Sequence, residues 1–211
     1  MLGDTDDFVA RDGMIPPMAG PIARRFSTRA FSSQNVPAEM IESVLEAARW
    51  APSYGNRQPT RFVVARDAAV LERLHDALTR GNAYAKIAPV LIAVCGAPEW
   101  SQRVDGLDYY LMDAGLAVEN LLLQAVELGL VGHPMGGFGE QLVRDALCIP
   151  TTARVLVLVA LGYPGAVDTL DERTRERELR PRVRKPVDAV RSWDRWVWDD
   201  DGEPQEVTTG S

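Results

Sequence analysis

The stretch "LDYYLMDAGLAVENLLLQAVELGL", residues 107–130, decides the fold. Leu107, Tyr110, Leu111, Ala114, Ala117, Val118, Leu121, Leu122, Ala125 and Leu128 recur at every third or fourth position, the repeat of one helix face. That face is unusually broad, so the segment reads as a central core helix that can also serve a subunit interface. Ala114, Gly115 and Ala117 keep one section slim enough for a second helix to approach closely.

Upstream, "PAEMIESVLEAARWA" places Met40, Ile41, Val44, Leu45 and Ala48 at helical spacing behind Pro37, a residue suited to a first turn. "RFVVA" (61–65) and "APVLIAVCG" (88–96) read as strands, and "DAAVLERLHDALTRG" as a helix that starts at Asp67 and stops at Gly81. Downstream, "GEQLVRDALCI" gives a further helix and "ARVLVLVALGYP" a third strand, ended by Gly162 and Pro164. "DERTRERELRPRVRKP" is a charge run without apolar periodicity. Residues 1–20 read as a loose arm, 21–192 as one folded domain, and 193–211, with three of the five tryptophans, as a docking arm and polar tail.

At 211 residues, with 46% hydrophobic and 25% charged residues, the chain suits one folded domain. A net charge of −7 argues against nucleic acid or an anionic membrane as partner, so any bound anion needs a local cationic cluster. No run approaches the ~18 apolar residues of a membrane span, and no apolar leader is evident, so a cytoplasmic protein is expected. Cys95 and Cys148 lie in apolar surroundings and read as reduced core cysteines. No paired spacing points to a metal. His75 reads as a helix-surface residue and His133 as a loop residue, neither with a visible catalytic partner. If the chain is an enzyme, a cofactor is expected to supply the reactive atom.

Four segments can carry chemistry. "RRFSTRAF" (24–31) offers two guanidinium forks and a hydroxyl, the donors a phosphate requires. "APSYGNRQPT" (51–60) is stiff and polar, able either to turn the chain or to present amides to a flat ligand. "GHPMGGFG" (132–139) lets backbone lie against a ligand, although glycine pairs are also common in plain turns. "RPRVRKP" (180–186) places Arg182 and Arg184 on one side of an extended chain. Read alone, each has an ordinary structural explanation.

Together, in this order, they resemble the FMN-dependent nitroreductase family. The resemblance rests on Arg25, Ser27, Arg29 and Phe31; on Pro52, Ser53, Asn56, Gln58 and Pro59 followed by Phe62; on the long helix running into Pro134–Phe138; and on "LGYP" with the basic pair before Lys185-Pro186. It spans about residues 20–190.

The resemblance implies an α+β fold with a central, mixed and mostly antiparallel sheet flanked by helices, and a long helix at a homodimer interface. It implies that Arg25, Arg182 and Arg184 neutralise the FMN phosphate, with Ser27 beside it and Phe26 at a position where relatives vary. Arg29 would stand near flavin N1, where charge accumulates on reduction. Pro134, Met135, Gly136 and Gly137 would lay backbone against the ring near N5, at a place where some relatives have Glu for Gly136. Pro52, Ser53 and Asn56 would cover the flavin of the partner subunit, and the Trp-rich arm would embrace that partner, burying Trp193 and Trp196. The activity implied is a two-step hydride exchange from NADH or NADPH through FMN to a nitroaromatic or quinone, with no side chain as catalytic acid or base. Two other readings stand beside it: a flavin dehydrogenase or oxidase of a small substrate, and a flavin-binding protein without turnover. Trp100 and Arg103 are candidates for the cleft mouth.

Overall fold

The computed structural model describes residues 17–199 and Gly202. The expected N-terminal arm lies outside these residues except for 17–20, as does most of the polar tail. The chain divides into two units between Glu178 and Leu179, ahead of the boundary expected at residue 193.

The first unit runs α1 (Gly20–Arg24), α2 (Ala38–Arg49), β1 (Arg61–Ala65), α3 (Ala68–Ala77), β2 (Val90–Gly96), β3 (Arg103–Val104), β4 (Leu107–Asp108), α4 (Tyr109–Glu127), β5 (Val131–Met135), α5 (Glu140–Leu147), β6 (Arg154–Gly162) and α6 (Glu172–Glu178). The main sheet has the order β1-β2-β6-β5, and every neighbouring pair is antiparallel. β3 and β4 form a small separate hairpin.

Every residue of β2 is buried, because both faces of the sheet are covered. Val90, Ile92 and Val94 point to one side, where Ile41, Val44 and Ala48 of α2 and Ala114, Ala117 and Leu121 of α4 pack. Leu91, Ala93 and Cys95 point to the other, against Leu74 and Ala77 of α3 and Val143 and Ala146 of α5. This alternation is the two-residue strand repeat, and the result is an α+β sandwich of three layers. Each fully buried Leu, Ile or Val contributes about 1.5–3 kcal/mol. The slim section of α4 receives α2: Ala114 and Ala117 are buried beside Val44 and Ala48, Asn120 Nδ2 donates to the Ala47 carbonyl at 3.1 Å, and Gln124 Nε2 donates to Ser43 Oγ at 3.1 Å.

Six sequence readings are corrected. α3 begins as expected, with Asp67 Oδ1 accepting from the amides of Ala69 and Val70 at 3.0 and 3.2 Å. It stops at Ala77 instead of Gly81, because Leu78 turns extended and pairs with Phe138. Residues 132–135, expected as part of the glycine-rich 132–139 segment, belong to strand β5; it lies at the sheet edge, where Pro134 needs no amide hydrogen. His133 is therefore a buried strand residue. The charge run contains α6, started by Asp171, whose carboxylate accepts from the Thr174 amide at 3.0 Å and its hydroxyl at 2.6 Å. Cys95 is buried as expected, but Cys148 is exposed in the left-handed position that ends α5 (φ 55°). Two residues expected on the core face of the long stretch point out instead: Leu107 belongs to β4 and Leu111 to the exposed side of α4.

Candidate functional site

The loop after α1 carries the first motif. Arg25 ends the helix, its amide donating to the Pro21 carbonyl at 2.8 Å, and its Nε lies 3.3 Å from Glu119 Oε1 on α4. Arg24 pairs with Glu127 on the same helix. Phe26 and Ser27 are half-buried. Thr28 is buried, and its hydroxyl accepts from the Ala30 amide at 3.2 Å and donates to Glu178 Oε1. The Arg29 amide donates to Glu178 Oε2 at 2.8 Å, and the Arg29 guanidinium lies 3.4 Å from the same oxygen. Arg29 Nε is buried without a partner.

The second motif stands at the end of β5. His133 Nδ1 lies 2.7 Å from the Thr28 carbonyl and its Nε2 lies 2.9 Å from the Tyr84 hydroxyl. The Tyr84 ring also receives the Arg29 guanidinium at 5.9 Å, and its hydroxyl lies 3.3 Å from Asn82 Oδ1. Asn82 Nδ2, the Thr79 hydroxyl and the Thr79 amide all donate to the Gly137 carbonyl, at 2.9, 3.0 and 3.2 Å. The Tyr84 hydroxyl thus lies between two acceptors and its single proton serves one of them at a time, the shorter contact being to His133. The Arg29 loop is tied through His133 to the strand that runs into the glycine pair. Burial pushes the Tyr84 hydroxyl up to about 12 and holds His133 below its ordinary value, which favours the neutral ring. The two glycines differ. A Cβ on Gly137 would meet Thr79 Oγ1 at 2.8 Å and Asn82 Nδ2 at 2.9 Å, whereas a Cβ on Gly136 would meet nothing within 4 Å. Met135 is buried, Pro134 is half-buried and Gly136 is exposed.

The third motif is a loop tightened by three left-handed residues, Gly55 (φ 52°), Asn56 (φ 54°) and Gln58 (φ 51°). Ser53 Oγ accepts from the Gln58 amide at 2.9 Å, and the Asn56 side chain accepts from Gln58 Nε2 at 3.2 Å. The loop is anchored on Asp113 of α4. That buried carboxylate accepts from the Tyr54 amide at 2.9 Å and from the Ser101 hydroxyl at 2.8 Å, and the Tyr54 ring meets that of Tyr109 at 4.6 Å, tilted by 51°. A cavity of about 630 Å³ lies beside it, lined by Pro52, Ser53, Gln58, Arg61, Asp113 and others. None of Arg25, Ser27, Arg29 or Pro134–Gly137 lines this cavity.

Arg182 and Arg184 belong to the second unit and are exposed, Arg184 Nη1 donating to the Val183 carbonyl at 2.9 Å. Trp193 and Trp196 are also exposed there, Trp196 meeting Trp198 edge-on at 4.8 Å. Trp100 is half-buried under the Arg61 guanidinium at 5.4 Å, and the exposed Arg103 lies 3.6 Å from Asp108. Among the described residues no group of His, Cys, Asp and Glu could hold a metal ion, and no helix is long and apolar enough to cross a membrane.

Sequence reasoning missed the supports of these motifs: Thr28, Thr79, Asn82, Tyr84, Asp113 and Glu178, and it gave His133 no partner. Asp113 alone left a signal, a carboxylate in the buried phase of α4 between Tyr110 and Ala117.

Residues 22–163 match the model of the nitroreductase family. A protein of Archaeoglobus fulgidus, provisionally named an NADH dehydrogenase/NAD(P)H nitroreductase, is 36% identical over 147 residues, which cover 68% of this chain and 83% of that one. An NADH dehydrogenase of Thermus thermophilus is 30% identical over 207 residues, covering 81% and 92%. Among solved structures, an oxidoreductase containing FMN superposes with a TM-score of 0.77 at 32% identity, covering 86% of this chain and 93% of that one. The family match and these relatives place the chain in an oxidoreductase class. The chain belongs to the nitroreductase family.

Proposed function

We propose that this chain is an FMN-dependent oxidoreductase that takes electrons from NADH or NADPH, passes them to an electron-poor acceptor such as a nitroaromatic or quinone, and works as a homodimer. The observation that carries the reading is the Arg29 guanidinium. Its Nε is buried without a partner, and its loop is tied by His133 to β5, the strand that runs directly into the Gly136–Gly137 turn. A planar ring that gains charge fits such a donor beside an open stretch of backbone, and the space over Gly136 is free.

Arg25 and Ser27, with Arg182 and Arg184 on the sequence pattern, are assigned to the phosphate, and Arg29 to the edge of the ring that gains charge. Met135, Gly136 and Gly137 supply backbone for the ring to lie on. When bound, FMN supplies the two-electron hydride chemistry between donor and acceptor. The residues here bind, orient and offer fixed charge, and none is assigned as acid or base.

The dimer is supported by the separation of the two halves in one chain. The Arg25 loop rests on Glu119 and the Pro52–Asn56 loop on Asp113, six residues away on α4. In an α-helix that spacing is roughly 120° around the axis and ~9 Å along it. Leu111, Met112 and Leu116 of α4 are exposed, an apolar stripe suited to a second copy.

Anaerobic titration of the FMN-loaded protein with each nicotinamide, followed by a panel of acceptors, tests the reading. Bleaching of the yellow colour by NADH or NADPH and its recovery on adding a quinone are expected. Bleaching by neither would turn the reading toward a dehydrogenase or oxidase of another substrate, and a protein that takes up no FMN at micromolar concentration would end it.

A further inference from the structure

We infer that Glu178 sets the charge that Arg29 presents to the flavin and thereby lowers the reduction potential of bound FMN; this rests on the FMN reading above. Glu178 closes α6, and its side chain is only 6% exposed, against 18% for Arg29. One carboxylate takes three donors: the Thr28 hydroxyl on Oε1, and the Arg29 amide and guanidinium on Oε2.

The arrangement separates holding from charge. The Thr28 hydroxyl and the Arg29 amide fix the carboxylate in place whatever the guanidinium does. The negative charge therefore remains behind the cation even when the guanidinium turns toward a ligand. Both groups are largely shielded from solvent, so ions screen their interaction weakly. Two-electron reduction with uptake of one proton leaves bound FMN one unit more negative. The Arg29 cation favours that change, and the carboxylate behind it offsets part of the effect. Glu178 touches Arg29 and not a reacting atom, so it is a positioning and charge-setting residue.

The test is the two-electron midpoint potential of bound FMN, read by equilibration with a reference dye under slow reduction by xanthine and xanthine oxidase. Glu178→Gln keeps an acceptor for the Arg29 amide and removes the charge. At fixed solution potential the ratio of reduced to oxidised FMN should rise about tenfold, a shift of about 30 mV to the positive. A purely structural role would weaken binding of both redox states alike and leave the potential unmoved. Glu178→Gln leaves Arg29 without its counter-charge and can misfold, so Arg29→Gln with Glu178→Gln is compared with Arg29→Gln alone. The double variant should again be the more easily reduced. An unmoved or more negative potential in either comparison overturns the inference while FMN binding stands. A wild-type protein that holds no FMN overturns the FMN reading and this inference together.

Discussion

His133 Nδ1 lies 2.7 Å from the carbonyl oxygen of Thr28. A carbonyl only accepts, so Nδ1 carries the proton and Nε2 of the neutral ring is the acceptor for Tyr84, 2.9 Å away. Two segments 105 residues apart, the Arg29 loop and β5, are tied by that one ring. Tyr84→Phe removes the donor and leaves a buried Nε2 unpaired, which costs about 1–3 kcal/mol. Urea unfolding should show the loss, and an unchanged midpoint would mean that the hydroxyl is idle.

The same ring makes stability depend on pH. Burial holds His133 below its ordinary value near 6.5; the Thr28 bond opposes this, Arg29 and Arg177 add to it, and Glu178 works against it. As pH falls, the unfolded chain takes up the proton first, so stability present above about pH 6.5 is lost below it, by at most about 1.4 kcal/mol per pH unit. His75 is shifted in the same direction, mainly by burial, and contributes with the same sign. His133→Gln should therefore lose less stability than the wild type between pH 7 and pH 5, because the carboxylates and His75 are common to both proteins. Parallel curves would show that the ring titrates as freely when folded as when unfolded.

The glycine pair predicts opposite outcomes for neighbouring residues. Gly137→Ala forces a methyl group to within 3 Å of Thr79 Oγ1 and Asn82 Nδ2, both of which bond the Gly137 carbonyl. Overpacking of this kind costs about 1–3 kcal/mol. Gly136→Ala meets nothing and should stay within about 0.5 kcal/mol of wild type. Its effect should instead fall on FMN affinity, since the methyl group enters the space assigned to the ring. Calorimetric unfolding and fluorescence titration with FMN separate the two.

Much of this fold was legible because the long apolar stretches follow one period throughout. β1, β6 and α4 fall where their repeats place them. β5 was hidden because "VGHPM" has neither alternation nor length and holds a proline that only an edge tolerates. α6 was hidden because it is polar all round, held by Asp171 and its charges rather than by an apolar stripe. The motif residues could be picked out by pattern, but their supports could not. Thr28, Tyr84 and Glu178 matter through partners 49 to 150 residues away, and no local spacing reports such a contact.

Asp113 is the anchor of the stiff loop. Asp113→Ala leaves the Tyr54 amide and the Ser101 hydroxyl without an acceptor. Tyr54 is exposed and Ser101 half-buried, so water can replace the lost acceptor, and a loss of about 0.5–1.5 kcal/mol is expected for each bond. The loop should also become more open to protease at Arg57, which is exposed. If Asp113→Ala unfolds at the wild-type midpoint and resists trypsin equally, the carboxylate does not hold the loop.

A site assembled from two chains makes a prediction that a single-chain site cannot. Arg25→Gln weakens one half and Asn56→Ala the other, so each homodimer should release FMN. In a mixed dimer the two lesions fall together in one site, and the second site receives Arg25 from one chain and Asn56 from its partner, both intact. Differently tagged chains, co-expressed and purified through both tags, should therefore regain about one FMN per two chains. The regained flavin should also be reducible by the nicotinamide that serves the wild type. The basis is physical separation: the cavity by the Pro52–Asn56 loop is lined by neither Arg25 nor the glycine turn. Mixed dimers as empty as their parents would place both halves of the site in one chain.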